Sequence, residues 1–169
     1  MTWELDKTRT KLEFSVRHMM IHTTRGSFRE FEADLEVDVD DWERSRVVAR
    51  IQTASVFTKD SLRDSYLTSE SFFNPNKYPL MEFASSSVEK RAGKLTIAGN
   101  LKIRDRSHPL ILRGSVTGPT GRPRRLSFVL AGEVERDPYD LVFHGAVESV
   151  SIVVGKKVNL DLKIELVER

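Results

Sequence analysis

Alternation with a period of two runs through most of this chain and places every second side chain on one face of a strand. Leu12, Phe14 and Val16 alternate with polar residues, as do Phe31, Ala33, Leu35, Val37 and Val39, and then Val47, Ala49, Ile51 and Thr53. The second half repeats the pattern in Leu95, Ile97, Gly99, Leu101 and Ile103, in Leu126, Phe128, Leu130, Gly132 and Val134, and in Val158, Leu160, Leu162, Ile164 and Leu166. Weaker strands are predicted from Met81 to Val88, Leu110 to Val116 and Phe143 to Val154. Turn-forming residues separate the runs at Asp40-Asp41, Arg91-Ala92-Gly93, Asp105 to Pro109, Gly118 to Gly121 and Gly155-Lys156-Lys157. Such short connections predict antiparallel neighbours. Strands that are apolar on one face bury it either in a sandwich or in a closed barrel, and closure also removes exposed edges. The prediction is therefore all-β, a single antiparallel barrel of about eight strands.

One segment breaks the period. From Ser61 to Ser69, Leu62, Tyr66 and Ser69 recur near helical spacing, and Asp60 or Ser61 is placed to cap a short helix. The aromatic residues that follow, Phe72-Phe73 and Tyr78, would then lie over one end of the barrel as a plug or lid. A second brief non-strand segment is expected at Arg17 to Thr23.

Composition narrows the class further. The chain of 169 residues fits one domain, and 39% apolar with 31% charged residues argues against both disorder and a membrane-embedded chain. Lysine and arginine number 27 against 25 acidic residues, so a net charge of +2 creates no field that would attract nucleic acid. The absence of cysteine removes disulfides, thiol nucleophiles and cysteine zinc sites together. Near Met1 there is no basic stretch followed by an apolar run, so the expected location is cytoplasmic.

Several motifs, in order along nearly the whole chain, resemble the YceI-like family. They begin with Asp6 to Thr10, Phe14-Ser15-Val16-Arg17-His18 and Gly26-Ser27-Phe28. They continue with Ser55-Val56-Phe57-Thr58, Arg63-Asp64-Ser65-Tyr66-Leu67, Ser71-Phe72-Phe73-Asn74, Tyr78-Pro79 and Phe83-x-Ser85. Gly99-x-Leu101-x-Ile103-Arg104 with His108-Pro109 completes the set. The resemblance implies an extended, lipocalin-like barrel that holds a polyisoprenoid or another long apolar amphiphile, with no catalytic residues and no cofactor. Departures cluster in the helix-and-lid region. Tyr66 stands for the usual histidine, Thr68 for arginine, and Ser71 and Asn74 for aspartates, while Arg136 to Leu141 lacks the family's glycine. A head group recognised there would meet less charge than in the family.

Within such a barrel the large inward candidates are Phe14, Phe28, Phe31, Phe83, Leu101, Ile103 and Phe128, and the small ones are Ala33, Ala49, Gly99 and Gly132. The mixture either tapers a tunnel or packs a solid core, since small barrels do both. Arg17 and His18, at the end of a strand, either meet a phosphate or quinone oxygen at the barrel mouth or serve as hydrogen-bonded structural groups. Arg63 and Asp64 are expected to pin the helix to the barrel.

His18 and His22 have the i, i+4 spacing of a helical metal pair, but His108 and His144 lie apart and nothing completes a ligand set. Neither a Gly-x-Ser-x-Gly elbow nor a phosphate loop occurs. The basic clusters at Arg122 to Arg125 and Gly155 to Lys157 are expected to be solvated turns, giving at most transient contact with an anionic membrane.

Three functions compete. The first is a carrier for an isoprenoid such as a polyprenyl phosphate or quinone. The second is a solid-barrel interaction or stress-related module, in which a homodimer is plausible. The third, an enzyme using Arg17 and His18, has only their adjacency behind it.

Overall fold

The computed structural model describes residues 2–18, 22–141 and 155–169, without the side chains of His18 and His22. Among these residues the strands are β1 (Trp3–Leu5), β2 (Lys11–His18), β3 (His22–Phe28), β4 (Phe31–Glu36), β5 (Arg46–Gln52) and β6 (Val56–Phe57). The helix α1 (Ser61–Leu67) follows, then β7 (Leu80–Arg91), β8 (Lys94–Ile103), β9 (Arg106–Thr120), β10 (Arg125–Glu135) and β11 (Lys157–Glu168). They form one sheet in the order β4-β5-β7-β8-β9-β10-β11-β2-β3-β6, with β1 also paired to β11. Every pairing is antiparallel.

The sheet curls until β4 comes beside β1, giving the all-β, lipocalin-like barrel. Among the described residues no strand pairing joins β1 to β4. An exposed ion pair between Lys7 and Glu32, 3.4 Å long, bridges that seam instead.

The alternating runs fix the register. On β8, Leu95, Ile97, Leu101 and Ile103 are buried, and on β10 Leu126, Phe128, Leu130 and Val134 are buried, with exposed polar residues between most of them. A slip of one residue would exchange the two faces, so pairs such as Leu130 with Leu162 and Ile97 with Leu112 hold the strands in place.

Several expected boundaries differ. The apolar alternation reaches Val39, but β4 stops at Glu36 because the Asp38 carboxylate accepts the N–H groups of Asp40 and Asp41 and starts a turn. The turn expected from Asp105 to Pro109 contracts to Arg104-Asp105, with Arg104 in the left-handed region, so His108 and Pro109 lie within β9. Likewise β9 continues to Thr120, and the turn that follows occupies residues 121–124.

The non-strand segment expected at Arg17 to Thr23 is corrected, since Arg17 pairs with Thr23 and His18 with His22 in a β2–β3 hairpin. The strand β3 carries no alternation because its inward positions are Thr24, Gly26 and Phe28, opposite Val16, Phe14 and Leu12. A Cβ on Gly26 would collide with the Phe14 ring and with the Thr58 methyl group, so glycine there makes room for the phenylalanine across the strand. The strand expected from Phe143 to Val154, with His144, lies outside the described residues.

The one α-helix forms where its cap requires. The Asp60 carboxylate accepts from the Leu62 and Arg63 amides, both at 3.1 Å, which satisfies two of the orphan donors of the first turn. At the other end the Thr68 hydroxyl donates to the Asp64 carbonyl at 2.9 Å. Among the described residues no helix is long and apolar enough to cross a membrane.

Candidate functional site

The barrel is hollow. A cavity of about 520 Å³ runs along its axis, walled by the inward side chains of β2, β5, β7, β8, β9, β10 and β11. Its signature in the sequence positions is a set of inward apolar residues that are not fully covered: Leu12, Phe14 and Phe28 on one side and Leu160, Leu162 and Ile164 on another are half-buried. Across the barrel, Leu95, Leu126 and Leu130 are 2% exposed or less, so the wall of β8 to β10 is solidly packed while β11, β2 and β3 face open space. A void of this size among apolar side chains forfeits dispersion contacts that a solid core would make.

At one end α1 and the segment after it close the tunnel. Phe14, Phe28, Phe73 and Phe72 form a chain of rings with centroids 5.6, 5.9 and 4.9 Å apart, and Tyr66 extends it 6.0 Å beyond Phe72. Phe72 and Phe73 are buried, whereas Leu62 on α1 lines the cavity and is 83% exposed, so here the apolar lining reaches the surface.

A polar network fixes this lid. The Asp64 carboxylate accepts from the Thr58 amide at 3.0 Å and from its hydroxyl at 2.5 Å. Arg63 donates through Nε to Thr58 Oγ1 at 2.8 Å and through Nη2 to the Thr58 carbonyl at 2.7 Å. Thr58 is buried, and the Arg63 and Asp64 side chains, expected to pin the helix to the barrel, bond instead to Thr58 in the segment between β6 and α1.

Arg136 also lines this end and is buried. Its Nε donates to the Gly155 carbonyl at 3.1 Å and its Nη1 to the Leu141 carbonyl at 2.7 Å. Burial lowers the guanidinium pKa, and the Asp137 charge opposes that effect. Nearby, Tyr139 donates to the Leu101 carbonyl at 2.7 Å and stands edge-on to His108. Burial pushes its hydroxyl up to about 12, against a hydrogen bond from the His108 backbone that lowers it.

The opposite end is closed by the β4–β5 connection. Trp42, in a single 3-10 turn at Trp42–Arg44, sets its indole edge-on to Phe128 with centroids 6.2 Å apart, and Lys90 lies 5.7 Å from the indole ring. Glu36 and Arg46, both exposed, belong to the lining at this end.

Of the residues expected at a ligand site, Phe14, Phe28, Phe83, Leu101, Ile103 and Phe128 lie on the wall of this one cavity. Phe31 is buried in the core but not on the wall. Arg17 is exposed and off the wall, because Leu12, Phe14 and Val16 take the inward parity of β2 and leave Arg17 on the outer face. The side chain of His18 lies outside the described residues.

The lining residues Trp42, Thr58, Arg136 and Leu141 stand in loops or at strand ends, where no period announces a face. Leu160, Leu162 and Ile164 carried the signal in their alternation. Among the described residues no group of three or more histidine, aspartate or glutamate side chains is placed to hold a metal ion. The basic loops are largely paired: Arg124 with Glu168, Arg125 with Asp6, Lys156 with Asp137 and Lys157 with Glu133.

Comparison with known proteins places this architecture among relatives. The model of a family described as the YceI-like domain matches residues 3–166. A UPF0312 protein of Staphylococcus aureus strain USA300 is 28% identical over 162 residues, covering 95% of this chain and 94% of its own. BcnA of Burkholderia cenocepacia superimposes with a TM-score of 0.84 at 18% identity, covering 96% of this chain and 99% of its own. A polyisoprenoid binding domain from Saccharophagus degradans, implicated in plant cell wall breakdown, superimposes with a TM-score of 0.75 at 13% identity, covering 100% of this chain and 99% of its own.

Proposed function

Because this chain belongs to the YceI-like family, and because its barrel encloses an apolar tunnel, we propose that it binds and carries an isoprenoid lipid lengthwise in that tunnel. The supporting observation is the cavity of about 520 Å³, walled along its length by aliphatic and aromatic side chains. A solid-barrel module has no use for such a void, which costs packing energy unless a ligand fills it. The polyisoprenoid binding domain that shares the fold adds support for this ligand class.

The chemistry suits a long unsaturated hydrocarbon chain. Each methylene buried gains about 0.8 kcal/mol, partly offset by ordering of the chain, so a tail bound along Phe14, Phe28, Phe83, Leu101, Ile103 and Phe128 needs few polar contacts. The polar end of the ligand, a polyprenyl phosphate or an isoprenoid quinone, lies at the α1 end. There Thr58, Arg63 and Arg136, each engaged in hydrogen bonds within the protein, put polar groups on the lining, and Leu62 marks where it meets solvent.

Native mass spectrometry of the purified protein with an added polyprenol or isoprenoid quinone tests the proposal. A one-to-one complex is expected, and Phe83→Trp, which thickens the wall at mid-tunnel, should weaken it by at least about tenfold while the barrel remains folded. Failure of both ligand types to bind would refute it.

A further inference from the structure

The two closures of the tunnel are unlike, and the connection that closes the end remote from α1 carries a single aromatic side chain. In the β4–β5 connection, residues 37–45, Trp42 is the sole aromatic residue. Its indole is half-buried, lines the cavity and abuts Phe128 at 6.2 Å with the rings 78° apart. The turn beneath it is set rather than loose. Asp38 accepts the Asp40 and Asp41 amides at 3.0 Å, and the buried Ser45 hydroxyl accepts the Asp38 amide at 3.0 Å. Lys90 lies 5.7 Å from the ring and gives it a cation–π contact. At this end the lining holds Leu35, Val37 and Val47 together with the exposed charged residues Glu36 and Arg46, so the apolar wall meets charge and solvent here.

We propose that Trp42 is the stopper that sets the longest apolar chain the tunnel takes, so that this protein selects its ligand by tail length at the end remote from α1. The proposal rests on the isoprenoid-carrier reading for its ligand and on the geometry above for its mechanism. Each methylene that stays inside the tunnel strengthens binding by about fourfold. A methylene that must pass the indole gains nothing, because it either displaces a ring packed on Phe128 or emerges among carboxylate, guanidinium and water. Affinity therefore rises with chain length up to a break and then levels off, and the position of Trp42 fixes the break. Removing the indole opens a path past the Glu36–Arg46 end of the β4–β5 pair and moves the break to longer chains.

The test titrates the full chain and its Trp42→Ala and Trp42→Phe variants with farnesol, geranylgeraniol and solanesol, and in parallel with straight-chain alkanols of increasing length. Expected is a break in the wild type below solanesol. Trp42→Ala should raise the affinity for solanesol relative to that for farnesol by about tenfold over the wild type, with Trp42→Phe between them. In a Trp3→Phe background, where Trp42 is the remaining tryptophan, its emission should shift with chains at the break and stay constant with farnesol.

A Trp42→Ala variant that weakens or strengthens every chain by the same factor, or leaves the break where it was, overturns the proposal. Should that variant fail to unfold cooperatively, the emission series decides alone, and emission indifferent to chain length overturns it. A break seen with alkanols but no isoprenoid binding would keep the stopper and remove the isoprenoid reading. No binding in either series removes both.

Discussion

The two ends of this barrel close the same tunnel by different physics. At the α1 end a helix is lashed down by a half-buried carboxylate, a buried threonine and a guanidinium, with five aromatic rings packed at the same end. At the other end a short connection carries one indole, and the turn is held by backbone amides donating to the Asp38 carboxylate and the Ser45 hydroxyl. The bonds at the α1 end gather around a buried threonine and include a guanidinium donor, whereas the two bonds accepted by the Asp38 carboxylate are exposed to water, which weakens their net worth. The α1 end is thus built to hold a fixed shape, and the Trp42 end to be a simple obstruction.

The strongest way to break that contrast is Asp64→Ala. It leaves the buried Thr58 amide and hydroxyl without their acceptor, and it should cost about 2–3 kcal/mol in urea-induced unfolding, with faster amide exchange confined to α1. A cost no larger than that of a rim substitution would show the lid is not fixed by this network.

Tyr139→Phe, next in size, removes the bond to the Leu101 carbonyl and should cost about 1 kcal/mol at neutral pH. It also separates the ends by pH. The Tyr139 hydroxyl is raised from its ordinary value of 10.0 to about 12, so its favourable contribution is fully present below pH 10.0 and is lost as pH rises toward the folded value. Unfolding midpoints followed between those values should fall for the wild type and fall less for Tyr139→Phe.

Ser45→Ala, at the Trp42 end, removes one acceptor for the Asp38 amide and should cost about 0.5–1 kcal/mol, read from the same urea curves. Loss equal to that of Asp64→Ala would erase the contrast.

The smallest effect belongs to Asp6, whose carboxyl is held below its ordinary 3.8 by hydrogen bonds from Thr8 and Arg125. Its contribution is present above that value and is lost as pH falls through the folded one. Asp6→Asn should accordingly flatten the acid limb of stability measured below pH 4 and leave the alkaline limb unchanged.

How much of this was legible in the sequence follows from periodicity. Where an inward face repeats Leu, Ile, Val or Phe, as in β8, β10 and β11, both the strand and its buried side could be read directly. The β3 strand escaped because two of its three inward residues are Thr24 and Gly26, the glycine making room for Phe14 rather than adding apolar surface. The helix was readable because Asp60 sits where a cap must.

The aromatic and aliphatic wall was visible for the same reason as the strands, since alternation assigns faces. Whether those faces meet or enclose space depends on the curvature of the sheet, which no local pattern encodes. Parity also explains Arg17, which follows an inward valine and so lies outside. Trp42 and Arg136 act at the ends of the tunnel from turns, and their neighbours in sequence say nothing of what they face.

The most direct measurement is organic extraction of the purified full-length chain, with mass spectrometric identification of whatever has co-purified in stoichiometric amount. The expected result is an isoprenoid whose tail length lies within the limit set at Trp42. A protein that yields none, and that takes up neither polyprenols nor isoprenoid quinones when they are added, would contradict it.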